Sequence, residues 1–233
     1  MQNNLTYGII GNGRVAQHMQ FYFDQLSIPY VQWDRQSSIE IEQALQECQV
    51  ILVLIRDDAI EPFLQEHPEL QQKICAHFSG ALVTPLAIGV HPHCNFTQDL
   101  YAPDFYPRIP FVMEKSEHAF SDLFPTLPNP HYTIPAEKRA EYHALCVICG
   151  NFPTLLWQEA TKTYQEMGLP ADFFHIYIQN IVEQYKHNPT QALTGPFARK
   201  DLGTIEKNQQ ALQNPKLKAI YTAFKKNFPI DHT

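Results

Sequence analysis

Leu5-Thr6-Tyr7-Gly8-Ile9-Ile10-Gly11-Asn12-Gly13-Arg14-Val15-Ala16 is the stretch from which the rest of the chain is read. Leu5 to Ile10 has the length and apolar character of a short buried strand. It runs without a linker into Gly11-x-Gly13-x-x-Ala16 and an amphipathic helix to about Leu26. Gly11 permits the tight turn off the strand, and Ala16 lets the helix lie close on a sheet. Gly13 leaves no Cβ in the way of a pyrophosphate. The helix N-terminus then offers free N–H groups and a positive dipole end to phosphates. Gly11, Asn12, Gly13, Arg14 and Val15 are therefore the expected phosphate-binding residues of a dinucleotide site.

Tyr30 to Trp33 predicts a second strand, ending at Asp34-Arg35-Gln36-Ser37-Ser38. Asp34 lies 23 residues after Gly11, about where an acidic residue meets the adenosine ribose. Arg35, Ser37 and Ser38 can instead clamp a 2′-phosphate, which Asp34 alone would repel. These residues favour NADP slightly over NAD. Val50-Ile51-Leu52-Val53-Leu54-Ile55 is an uninterrupted apolar run, the pattern of a parallel strand buried on both faces. Ile55 and Arg56 at its end should line the cofactor cleft, with Asp57 or Asp58 capping the next helix.

Lys73 to Phe78 and Ile88 to Val90 predict further strands, as do Ile109 to Met113 and His131 to Ile134, these last two flanking a helix from about Ser116 to Phe124. From Ala136 the texture changes to helix. One long stretch runs to Cys149 and resumes to Met167 after a bend at Gly150 and Pro153. Helices follow at about 172–185, 204–212 and 215–228, with Leu193 to Asp201 as non-helical punctuation. The expected architecture is α/β: a doubly wound, mainly parallel sheet over residues 1–135, then an all-helical domain over 136–233.

A chain of 233 residues, 44% hydrophobic and 18% charged, suits a globular protein with a substantial core. A formal charge of −7 argues against nucleic acid or an acidic membrane as partner. No apolar run has the length of a membrane span, and Met1-Gln2-Asn3-Asn4 does not resemble a signal peptide. Five cysteines, an odd number, read as reduced thiols of a cytoplasmic protein.

Beyond the glycine loop, several blocks carry a resemblance. They are Val53-Leu54-Ile55 with Asp57-Asp58-Ala59-Ile60, Ser79-Gly80-Ala81-Leu82, His91-Pro92 with Phe96, Tyr142-His143 with Asn151, and Ala192-Leu193-Thr194-Gly195-Pro196 with Arg199 and Asp201. Together they resemble bacterial two-domain proteins with a Rossmann-like NAD(P) domain and a helical C-terminal domain of unknown function. Those proteins are distant relatives of pyrroline-5-carboxylate reductase and the β-hydroxyacid dehydrogenases. The resemblance implies an oxidoreductase fold and a homodimer formed through the helical domain. It also implies a long helix facing the nicotinamide and a Ser-Gly loop that holds substrate. Against the family pattern, Arg56 stands where proline is usual, Lys200 where glycine is usual, and Asn208 near a usual histidine.

The expected function is hydride transfer to or from a small carbonyl or imine compound, with NADP or NAD as cofactor. The alternative is a non-catalytic NAD(P)-binding sensor or scaffold. Ser79 is the expected substrate binder. Tyr142 and His143 are the proton-capable groups of the long helix, His143 as general acid and His91 as an orienting or alternative donor. Helical neighbours diverge by ~100°, so one of Tyr142 and His143 should point into the cleft; the other reading is a polar contact between helices. His91, His93 and Cys94 carry ligand chemistry, but no later Cys/His cluster completes a set, so no metal is expected. Cys146 and Cys149 read as buried helix cysteines. Arg199 and Asp201 read as an anion site or as a structural ion pair.

Overall fold

The computed structural model describes residues 5–228; the Met1 to Asn4 segment read above and residues 229–233 lie outside them. By its contacts the chain divides into two units, Met1–Ile148 and Cys149–Thr233.

The first unit follows from alternation of strand and helix. Its elements are β1 (Tyr7–Ile10), α1 (Arg14–Gln25), β2 (Tyr30–Trp33), α2 (Ile41–Ala44), β3 (Val50–Val53), α3 (Asp57–Glu66), β4 (Ile74–His77), β5 (Ile88–Pro92), β6 (Phe111–Glu114), α4 (Phe120–Leu123), β7 (His131–Ile134) and α5 (Arg139–Cys146). The seven strands form one sheet in the order β2-β1-β3-β4-β5-β6-β7. Every pair is parallel except β5 with β6. The reversal of strand order between β1 and β3 opens a crevice at their C-terminal ends, where ligands of such sheets bind.

Two apolar layers sandwich the sheet, and side-chain alternation assigns each residue to one. Tyr7 and Ile9 of β1 and Val50 and Leu52 of β3 join Ala16, Met19 and Phe23 of α1 on one face. Ile10, Ile51 and Val53 meet Ile41, Ile60, Phe63 and Leu64 on the other. Ile51, Leu52 and Val53 are fully buried, which is why β3 reads as an unbroken apolar run rather than an alternating one. The helix expected from Ser116 shortens to Phe120–Leu123, because the Ala119 N–H donates to Asp122 Oδ2 at 2.7 Å and fixes its start there.

α5 begins after the change of texture near residue 135 but keeps to the first unit. Its first residue, Arg139, is fully buried against the sheet. Where a bend is expected the chain forms a five-residue π-helical turn, Val147–Asn151, and Pro153 falls in the first turn of the next helix, where its missing N–H costs no hydrogen bond.

Among its described residues the second unit has helices and no strand: α6 (Phe152–Glu166), α7 (His175–His187), α8 (Gly195–Ala198), α9 (Leu202–Ala211) and α10 (Pro215–Asn227). The segment 193–201 is not wholly irregular, since α8 forms one turn within it. Lys200 follows that turn with φ +59, the left-handed conformation in which glycine ends helices. The Asp201 N–H closes the motif on Pro196 O at 2.9 Å. Asp201 then caps α9, accepting from the Thr204 N–H at 3.0 Å and the Thr204 hydroxyl at 2.7 Å. α7 buries almost nothing: Ile176 is 82% exposed, and Tyr177, Ile181, Val182 and Tyr185 are exposed beside it. Among the described residues no helix is long and apolar enough to cross a membrane.

Candidate functional site

A cleft of about 480 Å³ opens at the C-terminal ends of β1, β2 and β3, lined by Ile10, Gly11, Asn12, Trp33, Asp34, Arg35, Gln36, Ile55, Arg56, Ala59 and Phe63. Its floor depends on Gly11, which has φ +114 and lies so close to Leu54 O that a Cβ would collide with it. Gly13 occupies the N-cap position of α1, and a Cβ there would meet nothing within 4 Å. That open space above a helix N-terminus fits a pyrophosphate. Arg14 and Val15 form the first turn of α1.

At the other end, Asp34 is held by the Gln36 N–H at 2.8 Å and the Gln32 side-chain amide at 3.0 Å, and these donors keep its carboxyl below the usual range. Ser37 turns inward, its hydroxyl accepting from the Asp34 N–H at 3.1 Å. Ser37 and Ser38 line a neighbouring hollow with Val31, Trp33 and Gln43 rather than the cleft itself. Arg35 is exposed at the cleft rim. Arg56 also faces the cleft, in a two-pronged contact with Asp58 at 3.1 and 2.6 Å. Both side chains are largely exposed, so the pair holds Arg56 weakly.

Asp57 does not cap α3, as its place in the sequence suggested. Arg56 takes the N-cap position without a side-chain bond, and the Asp57 carboxylate accepts from the Ser79 hydroxyl at 2.5 Å. Ser79 is buried, and its oxygen also accepts from the Leu82 N–H at 3.1 Å. The Arg56-Asp57 corner thus ties the cleft to the loop after β4.

Four side chains of α5 meet that loop and the end of β5. Arg139 donates to the carbonyls of Leu82 and Gly89 at 3.2 and 3.1 Å and to that of Ser79, and lies 3.8 Å from Glu114. A Cβ on Gly89 would strike its guanidinium. The Tyr142 hydroxyl stands 2.8 Å from His91 Nδ1 and 3.1 Å from His93 Nδ1. The His143 ring lies directly on Gly80, where a Cβ would overlap it, and its Nδ1 is buried without a hydrogen-bond partner. Cys146 Sγ reaches His93 Nδ1 at 3.5 Å. Tyr142 and His143 therefore diverge as helical neighbours must, yet both meet the same corner of the sheet.

Electrostatics separate these groups. Burial, and then the nearby His143 and Arg139, pushes His91 down to about 3, so its imidazole is neutral at physiological pH. Burial and Arg139 likewise push His77, at the end of β4, down to about 4. Burial raises the Tyr142 phenol.

Sequence reasoning missed Arg139 and Glu114 altogether, since one arginine in an amphipathic helix reads as solvated. It also took Cys146 and Cys149 as buried. Cys146 is half-buried and Cys149 exposed. The thiol that meets His91 and His93 is Cys146 of α5 rather than Cys94.

Residues 109–228 match the family model described as Domain of unknown function (DUF2520). The chain belongs to this family. The DUF2520 match takes in β6, α5 with its candidate site residues, and the helices α6 to α10 described for the second unit. No curated protein matches the chain. Among solved structures it is similar to a Bacteroides fragilis protein provisionally assigned as an NADP oxidoreductase (18% identity, TM-score 0.78, 97% of this chain and 98% of the other). It is also similar to a Thermotoga maritima protein (22% identity, TM-score 0.72, 94% and 95%) and to Plasmodium falciparum pyrroline carboxylate reductase, solved with NADP bound (14% identity, TM-score 0.64, 97% and 95%). At these identities the likeness establishes a shared fold for this DUF2520 member.

Proposed function

We propose that this protein is an NAD(P)-dependent oxidoreductase acting on a small carbonyl or imine compound. The observation that carries this is the cleft at the sheet's reversal point, lined by Gly11, Asn12, Asp34 and Arg56, with free space over the neighbouring Gly13 and with Asp57, next to Arg56, bonded to Ser79. The similarity to a reductase solved with NADP bound supports it. Gly11, Asn12, Gly13, Arg14 and Val15 would hold the pyrophosphate, and Asp34 and Arg35 the adenosine end. Ile55 and Arg56 would line the path toward the reacting ring. The cofactor, when bound, supplies or accepts the hydride.

His143 is the proposed general acid. Its ring lies on Gly80, beside the loop where Ser79 would orient the substrate. An oxyanion left by hydride addition needs a proton, and a protonated imidazole N–H can donate one. Tyr142, held between His91 and His93, would fix the wall opposite. His91, held neutral by burial, fits the orienting role better than the donor role. Ser79 can donate to a substrate only by exchanging its bond to Asp57. That bond favours the second reading, a non-catalytic NAD(P)-binding sensor. The bare apolar face of α7 supports a homodimer through the helical unit, and five unpaired cysteines support a reducing compartment, the cytoplasm.

The test begins with fluorescence titration of NADPH and NADH into wild type and Arg35→Ala. Wild type should bind at micromolar concentration, and the variant should lose affinity for NADPH but not NADH. Absence of binding to either cofactor refutes the proposal. Reduction of small keto acids and imines then compares His143→Ala with wild type. A loss of at least ~10²-fold is expected, with cofactor affinity kept. Activity within a few-fold of wild type removes His143 from the mechanism. Light scattering reads the mass, and a monomer at micromolar concentration refutes the dimer.

A further inference from the structure

His91, His93 and Cys146 place one ligand atom each within 4.8 Å of one another, on the outer end of β5 and the facing side of α5. Two imidazoles and a thiol are the donors that zinc and its neighbours select, and carboxylates are absent from the set. The three are brought together by long-range structure, since Cys146 stands 53 residues from His93 in the chain. Both histidines flank Pro92, which belongs to β5 and stiffens the segment carrying them.

The spacing can be compared with what a four-coordinate ion requires. With metal–nitrogen bonds of about 2.0–2.1 Å and a metal–sulfur bond of about 2.3 Å, tetrahedral angles set the nitrogen–sulfur edge at roughly 3.5 Å. Cys146 Sγ and His93 Nδ1 are 3.5 Å apart. All three ligand atoms lie within 4.8 Å of one another, and exposed His93 and half-buried Cys146 have room to rotate toward a common centre. The Tyr142 oxygen lies 2.8 and 3.1 Å from the two Nδ1 atoms, directly beside the cluster. Its single proton can be donated to only one of the two imidazoles that flank it. The exposure of His93 leaves an entry path from solvent.

We propose that His91, His93 and Cys146 form a binding site for a zinc-like divalent cation, with Tyr142 beside its fourth position. Binding releases the Cys146 thiol proton to solvent and ties the end of β5 to α5. The site lies within the first unit and does not rest on the proposed oxidoreductase activity.

The test uses the full chain, kept reduced and stripped of metal, titrated with Co²⁺ alone and then displaced by Zn²⁺. One equivalent of Co²⁺ should give the intense visible bands of a four-coordinate ion and a thiolate-to-cobalt charge-transfer band, both abolished by Zn²⁺. Cys146→Ser should remove the charge-transfer band. His93→Ala, at an exposed position that tolerates the change, should weaken Zn²⁺ by more than the 10–100-fold typical of outer-shell substitutions. Cys94→Ser and Cys149→Ser should leave both signals in place. Absence of stoichiometric binding overturns the proposal. So does a charge-transfer band that survives Cys146→Ser or disappears in Cys149→Ser.

Discussion

His77 ends β4 fully buried, and neither of its ring nitrogens has a hydrogen-bond partner. Burial, reinforced by the Arg139 guanidinium, pushes it from 6.5 down to about 4. The native state therefore keeps the ring neutral at pH 5 while the unfolded chain takes up a proton there. Stability from this residue is fully present above about pH 6.5 and is lost as pH falls toward 4. Linkage makes the loss about 2 kcal/mol between pH 7 and pH 5, and about 3 kcal/mol once both states are protonated. His77→Leu keeps a similar volume and removes the titration together with two unpaired polar atoms, so it should be at least as stable as wild type at pH 7. Urea unfolding followed by Trp33 fluorescence, in a Trp157→Phe background so that one tryptophan reports on the first unit, should be run at pH 7, 6 and 5. The other histidines contribute equally to both proteins, so the difference between the curves isolates His77. Differences constant to within about 0.5 kcal/mol across that range would refute the reasoning.

Two further outcomes follow from buried charge and backbone conformation. Arg139→Ala leaves Glu114 buried without its cation and should destabilise by about 3–5 kcal/mol; adding Glu114→Gln should recover part of that loss, and a double-mutant cycle of unfolding free energies with no coupling would show that the pair does not act as one. Lys200→Gly should stabilise by up to about 1 kcal/mol by relieving a left-handed backbone, whereas Lys200→Ala should not. An equal gain from both, read by thermal unfolding, would assign the effect to the side chain rather than to φ.

The order of elements was legible because each strand of the sheet announces itself locally. Leu5 to Ile10 and Val50 to Ile55 are apolar runs that a two-faced sheet alone explains, and Gly11 marks the turn between strand and phosphate loop. The cleft was legible for the same reason, since the residues after β1, β2 and β3 must converge once the sheet is wound. What stayed hidden depends on contacts between residues far apart in sequence. Nothing local to Asp57 says that it will bond Ser79 rather than cap α3. Arg139 meets Ser79, Leu82 and Gly89 only because α5 packs across the sheet. The glycine usual at position 200 was noted in the sequence, but its reason emerged only with φ +59.

Arg139 also decides to which unit the proton-bearing groups belong. Tyr142, His143 and Cys146 belong to a helix whose continuation beyond residue 148 lies in another unit. The guanidinium at its start is locked to the carbonyl of Gly89 in β5 and to those of Ser79 and Leu82 in the loop after β4, and is shielded from water. To pull it out would strand a charge, three acceptors and Glu114 at once. Past this anchor the π-helical turn Val147–Asn151 departs from regular helical bonding. The groups that would finish the proposed reaction are thus fixed to the unit that carries the glycine loop.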